Sequence, residues 1–527
     1  MAISWQRLKH GWAAVCAAFC FVCLPSNASA DDIVLRAPDG SFEVSGPLIG
    51  FDGLSYRVDT RFGVLTLSTS AVECVSGCPG SGDVPVIRMV GAQSMARVLM
   101  PALVDVFAIS LGVGIETTTD AETGAQVITL VAADAGPLAR FLILGGTTAE
   151  GFTALAEGRA DIVLADRPVT EDEAAQVAEA GLGDVTDPLR RRLMARKPLR
   201  IVVPRGQSVS SLDVSELVDV LSGETQRWAE LGGGADAVIS LHTTRDEAAQ
   251  IAGRLAAVAE VLARPAETTS ITVHDDLAGM VGALSEDPDA MAITSGTVFS
   301  GRALQVSNGC AADGAETAVA PDESVDPLLS QFWTYTAAPR LPDLARAFLV
   351  FATGPGAQRT IDRAGFVDKR PDPVPLADQG DRVARAILAA EDGAGFAALE
   401  DAIAALEGHD RLSLAFRFTP GTTELEPMSQ SDVQSLAAFL DAGLFDGEEL
   451  VFAGFSDGIG AAEANRSLSQ DRAEVVRTAV QDLMVTNPNR AELIARGFGE
   501  VMPLACDESV WGRHVNRRVE VWVAPRF

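Results

Sequence analysis

Hydrophobic and polar residues alternate in two different ways along the chain, and the change of period separates its first two segments. Between residues 31 and 80, short alternating segments flank Asp-Gly pairs at 39–40 and 52–53, a signal typical of β-hairpin turns. From about residue 83 to 367, short apolar runs alternate with stretches of helical period. This pattern predicts a small β module followed by an α/β domain with a mostly parallel sheet.

The pattern changes again after the α/β domain. Three prolines alternate with other residues from 371 to 375, which predicts a stiff extended linker. Two alanine-rich helical stretches follow over 380–406, and we expect their Ala/Leu faces to pack on a neighbouring element. We therefore assign the linker and helices to residues 368–408 and a C-terminal domain to residues 409–527.

The C-terminal domain contains the clearest candidate site. Residues 450–455 are apolar and are followed by Ser-Asp-Gly, which predicts a buried strand ending in a turn at Asp457. The next helix carries Arg472 two turns from its start. A carboxylate and a guanidinium facing one cleft can hold a zwitterion, since the acid binds its ammonium and the arginine binds its carboxylate. The alternative is an exposed ion pair of little energetic value.

Several separated pieces of sequence occur in a fixed order around these two residues. They are Ser456-Asp457-x-x-Gly460, Asn465, Leu468-Ser469, Arg472-Ala473, Arg496-Gly-Phe-Gly-Glu500, Pro503 and Asn516-Arg-Arg-Val-Glu-Val521. Together they resemble the OmpA-like peptidoglycan-binding domain, over roughly residues 412–527. One departure is that Ser456 stands where the family usually has threonine.

This resemblance implies the ligand and the residues that bind it. In the family, the residues that match Asp457 and Arg472 hold the meso-diaminopimelate of the cell-wall stem peptide, and Asn465 matches a position lining the same pocket. Arg518 in the last strand joins the expected peptidoglycan-binding set, with a structural ion pair as the alternative for that residue.

The α/β segment contains two places where a strand runs directly into a helix. Ser94 stands at the first and Thr147-Thr148 at the second. Free N–H groups and the helix dipole make such junctions natural anion pockets. We therefore expect these hydroxyl-bearing residues to lie near a bound anion.

Three further pieces point to a family for this segment. They are Gly158…Ala160-Asp-Ile162…Ala165-Asp-Arg-Pro168, Arg227-Trp-Ala-Glu-Leu-Gly-Gly233, and residues 347–358 with Arg363-Ala-Gly-Phe-Val367. They resemble the type 2 periplasmic solute-binding proteins, in particular the phosphate receptors of ABC transporters. The resemblance implies a two-lobed domain over residues 83–367. It also implies that Ser94 donates to the anion, that Asp166 accepts the proton of hydrogen phosphate, and that Arg245 caps it.

One element of the receptor pattern is missing. The family's Ser-Gly-Thr at a helix start appears here as Ala249-Gln-Ile251. Each missing donor in a buried site costs about 1–3 kcal/mol, so the loss of two lowers phosphate affinity by roughly a hundredfold or more. This departure favours an altered pocket over true phosphate binding.

The N-terminus and the charge indicate the compartment. Residues 1–30 combine Arg7 and Lys9, a short apolar core and Ala28-Ser-Ala30, which is typical of a secretory signal peptide. We expect a periplasmic protein associated with peptidoglycan and the outer membrane. The formal net charge of −31 argues against a nucleic-acid partner.

Four cysteines follow the signal peptide, and an even number in an oxidising compartment favours disulfides. Cys74 and Cys78 are separated by three residues and are expected to form a small clasp. Cys310 and Cys506 are left to pair across domains or to stay free. No histidine spacing supports a metal site, and no cofactor motif is present.

No nucleophile–base set, P-loop or Gly-x-Ser-x-Gly motif occurs, so the sequence favours a binding protein over an enzyme. The expected fold class is α/β multidomain: a small N-terminal β module, a two-lobed periplasmic-binding-protein-like domain and an OmpA-like α+β domain. The first hypothesis is a non-catalytic envelope protein that binds peptidoglycan and carries a phosphate-receptor-like module. The alternatives are a wall-tethered receptor for phosphate or another small oxyanion, and a structural adaptor that binds proteins.

Overall fold

The computed structural model divides the chain into two units, Met1–Gly82 and Asp83–Phe527. It describes residues 32–51, 55–78, 84–133, 136–234, 236–264, 269–296, 298, 300–307, 326–337, 341–390, 393–419, 421–485 and 490–525. The expected signal peptide and Cys310 lie outside these residues.

The N-terminal unit is a five-stranded antiparallel sheet with the strand order β4-β3-β2-β1-β5. Its strands are β1 (Asp32–Arg36), β2 (Glu43–Phe51), β3 (Ser55–Thr60), β4 (Gly63–Ser68) and β5 (Glu73–Ser76). Ile33, Leu35, Tyr56, Val58 and Val72 form its buried core. The expected Cys74–Cys78 disulfide is present, so the β module is confirmed together with its clasp.

The second unit begins with most of the first lobe of the α/β domain. Its elements are β6 (Val86–Ala92), α1 (Met100–Leu111), β7 (Gly114–Thr119), β8 (Gln126–Ala132), β9 (Gly136–Gly146), α2 (Thr148–Ala156), β10 (Ile162–Ala165), α3 (Glu171–Glu179) and β11 (Arg191–Pro198). A short π-helical turn at Met95–Leu99 precedes α1. The apolar runs noted in the sequence form the buried strands of this lobe, for example β10, in which every residue is buried.

The chain then builds a second lobe and returns to the first. The second lobe contains β12 (Arg200–Pro204), β13 (Ser211–Asp213), α4 (Val214–Ser222), β14 (Ser240–Thr244), α5 (Arg245–Leu262), β15 (Thr272–His274), α6 (Leu277–Glu286), β16 (Ala290–Thr294) and β17 (Gly301–Ser307). The returning segment contributes β18 (Leu329–Thr336), α7 (Asp343–Thr353) and α8 (Gln358–Arg363) to the first lobe.

Each lobe is organised around its own sheet. The strand order is β11-β18-β10-β6-β9-β8-β7 in the first lobe and β13-β17-β12-β16-β14-β15 in the second. Only β6 with β9 and β10 pairs in parallel in the first sheet. The expectation of a mostly parallel sheet was wrong for this lobe, because β8 and β18 run antiparallel to both of their neighbours.

The C-terminal domain is a five-stranded sheet with the order β19-β20-β23-β21-β22. Its elements are β19 (Pro373–Val374), α9 (Gly380–Ala389), α10 (Gly393–Leu406), β20 (Asp410–Arg417), α11 (Pro427–Asp441), β21 (Glu448–Phe455), α12 (Ala462–Leu483), β22 (Glu492–Gly497), α13 (Val510–Asn516) and β23 (Arg518–Pro525). Residues of α11 and α12 share one hydrophobic core with the sheet, and residues of α9 and α10 share a second.

The segment expected to be a linker is built into this domain. β19 pairs with β20 through Pro373 and Val374, so the proline-rich stretch is an edge strand instead of a free spacer. Arg382 of α9 donates to both carboxylate oxygens of Glu520 in β23, at 2.7 and 2.8 Å. The alanine-rich helices therefore pack on a neighbour, as the sequence predicts, and the neighbour is the C-terminal sheet.

The C-terminal domain also contacts both lobes. Arg196 of β11 forms a buried ion pair with Asp432 of α11, which links the domain to the first lobe. Trp511 and Val515 of α13 are members of the hydrophobic core of the second lobe. The domain is thus packed against both lobes. Within the described residues, no helix combines the length and the apolar character needed to cross a membrane.

Candidate functional site

Asp457 lies in the loop that connects β21 to α12. Its Oδ2 accepts a hydrogen bond from Arg517 Nη1 at 2.7 Å, and the two side chains are each 14% exposed. Its Oδ1 accepts only a long bond, 3.3 Å, from the backbone N–H of Ile459. Oδ2 of the carboxylate is therefore held by Arg517, and Oδ1 can accept a further hydrogen bond.

Arg472 is completely buried at the middle of α12. Its Nε and Nη2 donate to the backbone oxygen of Thr422 at 3.1 and 3.0 Å, and its guanidinium lies 5.2 Å from the ring centre of Phe418. Its Nη1 is buried and has no hydrogen-bond partner. This cation is thus held in place by a carbonyl and an aromatic ring.

The electrostatics of this group follow from that burial. Burial, with a smaller effect of nearby Arg517, lowers the pKa of Arg472 to about 10, and Asp457 acts in the opposite direction. At neutral pH the guanidinium remains charged, so an entering carboxylate gains both a charge partner and the free Nη1 donor. We call Asp457, Arg472 and Arg517 the zwitterion site.

Arg517 is the member of this site that the sequence analysis missed. Arg517 lies between α13 and β23, and Arg518, the residue in the predicted set, is the first residue of β23. Arg518 is completely buried: it donates to Glu520 Oε1 at 2.7 Å, to Asn516 O at 3.2 Å and to Met502 O at 2.9 Å. The structural ion pair that the sequence left open therefore accounts for Arg518, and its guanidinium is not part of the site.

Asn465 is buried on α12, and its Nδ2 donates to Glu500 Oε2 at 2.7 Å. The loop beside Asp457 is fixed by Asp507, which accepts from the backbone N–H of Gly458 at 2.8 Å and from Asn516 Nδ2 at 2.8 Å. These contacts hold the loop in a defined conformation without engaging the Asp457 carboxylate itself.

Only two of the residues expected to bind an anion in the α/β domain contact each other. The Thr148 hydroxyl donates to Asp166 Oδ1 at 2.7 Å, and the backbone N–H of Asp166 donates back to that hydroxyl at 3.1 Å. Burial raises the pKa of the Asp166 carboxyl, whereas hydrogen bonding with Thr148 and with the side chain of Gln250 lowers it. Gln250 belongs to α5, so a side chain of the second lobe lies next to Asp166.

The other three expected residues have different roles. Thr147 is the N-cap of α2 and forms a capping box with Glu150. Arg245 is 70% exposed and pairs with the exposed Asp275. The Ser94 hydroxyl is buried without a hydrogen-bond partner. Thr147 and Arg245 therefore already have partners, whereas the Ser94 hydroxyl has none.

A second carboxylate lies at the start of α5. Glu247 is buried and accepts from the backbone N–H of Ser295 at 2.6 Å and from the Ser295 hydroxyl at 2.5 Å. Asp166 belongs to the first lobe and Glu247 to the second, so each lobe contributes one buried acid.

The remaining candidate features are the cysteines and a possible metal site. Cys506 is disulfide-bonded. The Cys310–Cys506 pairing stays a prediction, since Cys310 lies outside the described residues. Within the part of the chain that the structure describes, no group of three or more histidine, cysteine or acidic side chains could hold a metal ion.

Comparison with known proteins identifies both parts of the second unit. Residues 107–355 match the PBP superfamily domain, and residues 417–517 match the OmpA family. Outer membrane porin F of Pseudomonas fluorescens is 34% identical over 113 residues, which cover 21% of this chain and 33% of that protein. The lipoprotein YfiB of Escherichia coli (strain K12) is 35% identical over 111 residues, covering 21% of this chain and 66% of that protein.

The chain therefore spans about one third of the length of the porin F relative. Among solved structures, an ABC-type phosphate transport receptor from Vibrio cholerae matches with a TM-score of 0.38 and 18% identity, covering 54% of this chain and 99% of that one.

Proposed function

We propose that this chain, which carries a PBP superfamily domain followed by an OmpA family domain, is a non-catalytic cell-envelope protein that binds peptidoglycan. The relatives matched by its OmpA family domain are named as an outer membrane porin and a lipoprotein, which supports an envelope location. The proposed ligand is the diaminopimelate of the stem peptide, and the proposed compartment is the periplasm.

The observation that carries this proposal is the unpartnered Nη1 of the buried Arg472. A buried donor without an acceptor costs free energy, and a charged one costs more than a neutral one. The chain nevertheless keeps this cation next to a second one, Arg517, which lowers the pKa of Arg472. A site that binds a carboxylate explains the arrangement, because the ligand supplies the missing acceptor and the missing negative charge.

The two ends of a zwitterion fit the two halves of the site. The ligand carboxylate would bind Arg472, and the ligand ammonium would bind the Oδ1 side of Asp457, where the only bond is the long contact to Ile459. Arg517 holds the other oxygen and so positions Asp457 for this contact. Asn465 is proposed to line the same pocket.

The experiment is sedimentation of the full exported chain with purified peptidoglycan that contains diaminopimelate. Asp457→Asn and Arg472→Gln are each expected to lower the bound fraction, with about a tenfold or greater loss of affinity for a charge-assisted contact. Arg477→Gln is the matched control, since Arg477 lies on the same helix and pairs with Glu474. If both site variants sediment as the wild type does, the assignment is overturned.

For the two-lobed domain, we infer that the cleft does not act as a phosphate receptor. The inference is supported by the ion pair of Arg245 with the exposed Asp275, and by Gln250 next to Asp166 in the Ala249-Gln-Ile251 that replaces the receptor pattern. Calorimetry of the full chain with phosphate tests this inference. Binding that is lost on Asp166→Ala would restore the receptor hypothesis.

A further inference from the structure

A cavity of about 330 Å³ lies where the first lobe meets the C-terminal domain. The first lobe contributes Arg196, the segment after α8 contributes Lys369 and Arg370, and the C-terminal domain contributes Ser413, Asp432 and Ser435. We call this space the junction cavity. It is separate from the zwitterion site, since the two share no residue.

The buried charges of the junction cavity are unbalanced. Arg196 and Lys369 are 4% and 6% exposed, and the one buried carboxylate among the described lining residues is Asp432. Asp432 is already engaged by Arg196 in an ion pair. Arg192 adds a further positive charge next to Lys369. Burial is the main cause that lowers the pKa of the Lys369 ammonium; Asp432 raises it, and Arg196 and Arg192 lower it.

The acids at the rim do not correct this imbalance. Asp368 forms an ion pair of 2.7 Å with Arg370, so these two charges cancel. The remaining lining acids, Asp362 and Asp372, are exposed to solvent, which screens their charges. Because Arg196 and Asp432 balance each other, the interior of the cavity carries an excess positive charge whenever Lys369 is protonated, although the rim and the protein as a whole are acidic.

The same buried side chains also have unused donors. Arg196 Nε is buried and has no hydrogen-bond partner. The Lys369 ammonium donates to the backbone oxygen of Leu193 at 2.7 Å, and an ammonium has three protons to donate. A negatively charged hydrogen-bond acceptor in this cavity would satisfy the unused donors and also balance the excess positive charge.

We propose that the junction cavity binds a small oxyanion, held by Lys369 and Arg196. The cavity is large enough for such an ion with accompanying water, since a water molecule takes about 30 Å³ of liquid volume. Because the donors belong to the first lobe and to the segment that leads into the C-terminal domain, the bound ion ties the two domains together. The proposal is independent of the proposed wall binding.

Calorimetry of the full chain with inorganic phosphate, and with sulfate for comparison, tests the proposal. Wild type should bind, and Lys369→Met should weaken binding about tenfold or more by removing one charge-assisted donor. Asp166→Ala should leave the affinity unchanged, which separates this site from the cleft between the lobes. Absence of binding by wild type at millimolar phosphate, or loss of binding on Asp166→Ala, overturns the proposal.

A second measurement does not depend on a variant that folds. The sequence contains only three lysines, Lys9, Lys197 and Lys369, so ¹³C labelling of lysine gives a spectrum with few side-chain signals. Phosphate should raise the titration midpoint of the Lys369 signal and leave that of Lys197 in place, because Lys197 lies over the ring of Phe366 and does not line the cavity. Equal behaviour of the two lysines contradicts the proposal.

Discussion

The Asp457 carboxylate is paired with Arg517, at 2.7 Å, and not with Arg472. The acid and the buried arginine that the sequence places on adjacent elements are therefore both present in the site without neutralising each other. Arg472 keeps one buried donor without a partner. A direct ion pair between them would have removed both binding groups, whereas the observed arrangement leaves one group for each end of a zwitterion.

The planar shape of the Arg472 guanidinium should contribute to peptidoglycan binding in addition to its charge. Arg472→Lys keeps a cation but cannot both hold Thr422 O and present a second planar donor to a carboxylate. We expect this variant to bind peptidoglycan about tenfold or more weakly than wild type in the sedimentation assay. Wild-type affinity in Arg472→Lys would show that the charge alone is sufficient and would contradict a role for the free Nη1 donor.

The link between α9 and the C-terminal sheet should be strong, because it is a buried ion pair. Arg382 and Glu520 are buried, and Glu520 keeps Arg518 as a second partner, so the loss of Arg382 should cost about 1–3 kcal/mol of the free energy of unfolding. Arg382→Met should therefore lower the urea midpoint clearly. The matched control is Arg159→Met, since Arg159 forms an exposed pair with Glu157 worth about 1 kcal/mol or less. Equal midpoints for both variants would contradict a structural role for residues 380–389.

The contact between α13 and the second lobe should couple the two domains. Trp511 is buried in the core of that lobe, and a Trp→Ala change in a core costs about 3–5 kcal/mol. Calorimetric unfolding of Trp511→Ala should show a lower transition temperature or a transition split in two. Leu388→Ala is the control, because Leu388 is 84% exposed and its loss should be nearly neutral. An unchanged transition in Trp511→Ala would contradict the coupling.

The stability of the protein should depend on pH through Lys369. Burial lowers the pKa of its ammonium from 10.5 to about 7. Between these two values the unfolded chain keeps a proton that the folded chain has released, so the free energy of unfolding rises with pH across this window. The cost of burying the charged form is present in full below pH 7.

Lys369→Met removes this dependence. The variant should exceed wild type in stability most clearly near pH 6, and the difference should shrink as the pH approaches 10. Urea denaturation at several pH values measures the difference directly. A difference that stays constant over the whole range would show that Lys369 does not titrate in the folded protein within this window.

Several strands and turns of this fold can be predicted from the sequence, because their signals are local. The apolar run at 450–455 and the polar turn after it predict the strand β21 and its loop, and they place Asp457 correctly at the strand end. The Asp39-Gly40 pair likewise marks the turn between β1 and β2, whereas Asp52-Gly53 lies outside the described residues. These signals are local, so neighbouring residues suffice to interpret them.

The errors concern contacts between distant parts of the chain. Whether Arg517 or Arg518 faces Asp457 depends on which face of β23 meets the loop, and the alternation of a strand does not decide this. The proline-rich stretch has the composition of a linker, but its pairing with β20 is a tertiary contact. Arg245 has the sequence position of an anion ligand, yet it pairs with Asp275 in a neighbouring loop.

The most direct test of the central claim compares two stem peptides that differ only in one carboxylate, one with diaminopimelate and the other with lysine at the same position. Fluorescence anisotropy with the full chain should show tighter binding of the diaminopimelate peptide by about tenfold, because only that peptide offers Arg472 a carboxylate. Arg472→Gln should bind both peptides equally. Equal binding of the two peptides by the wild-type protein would contradict the account.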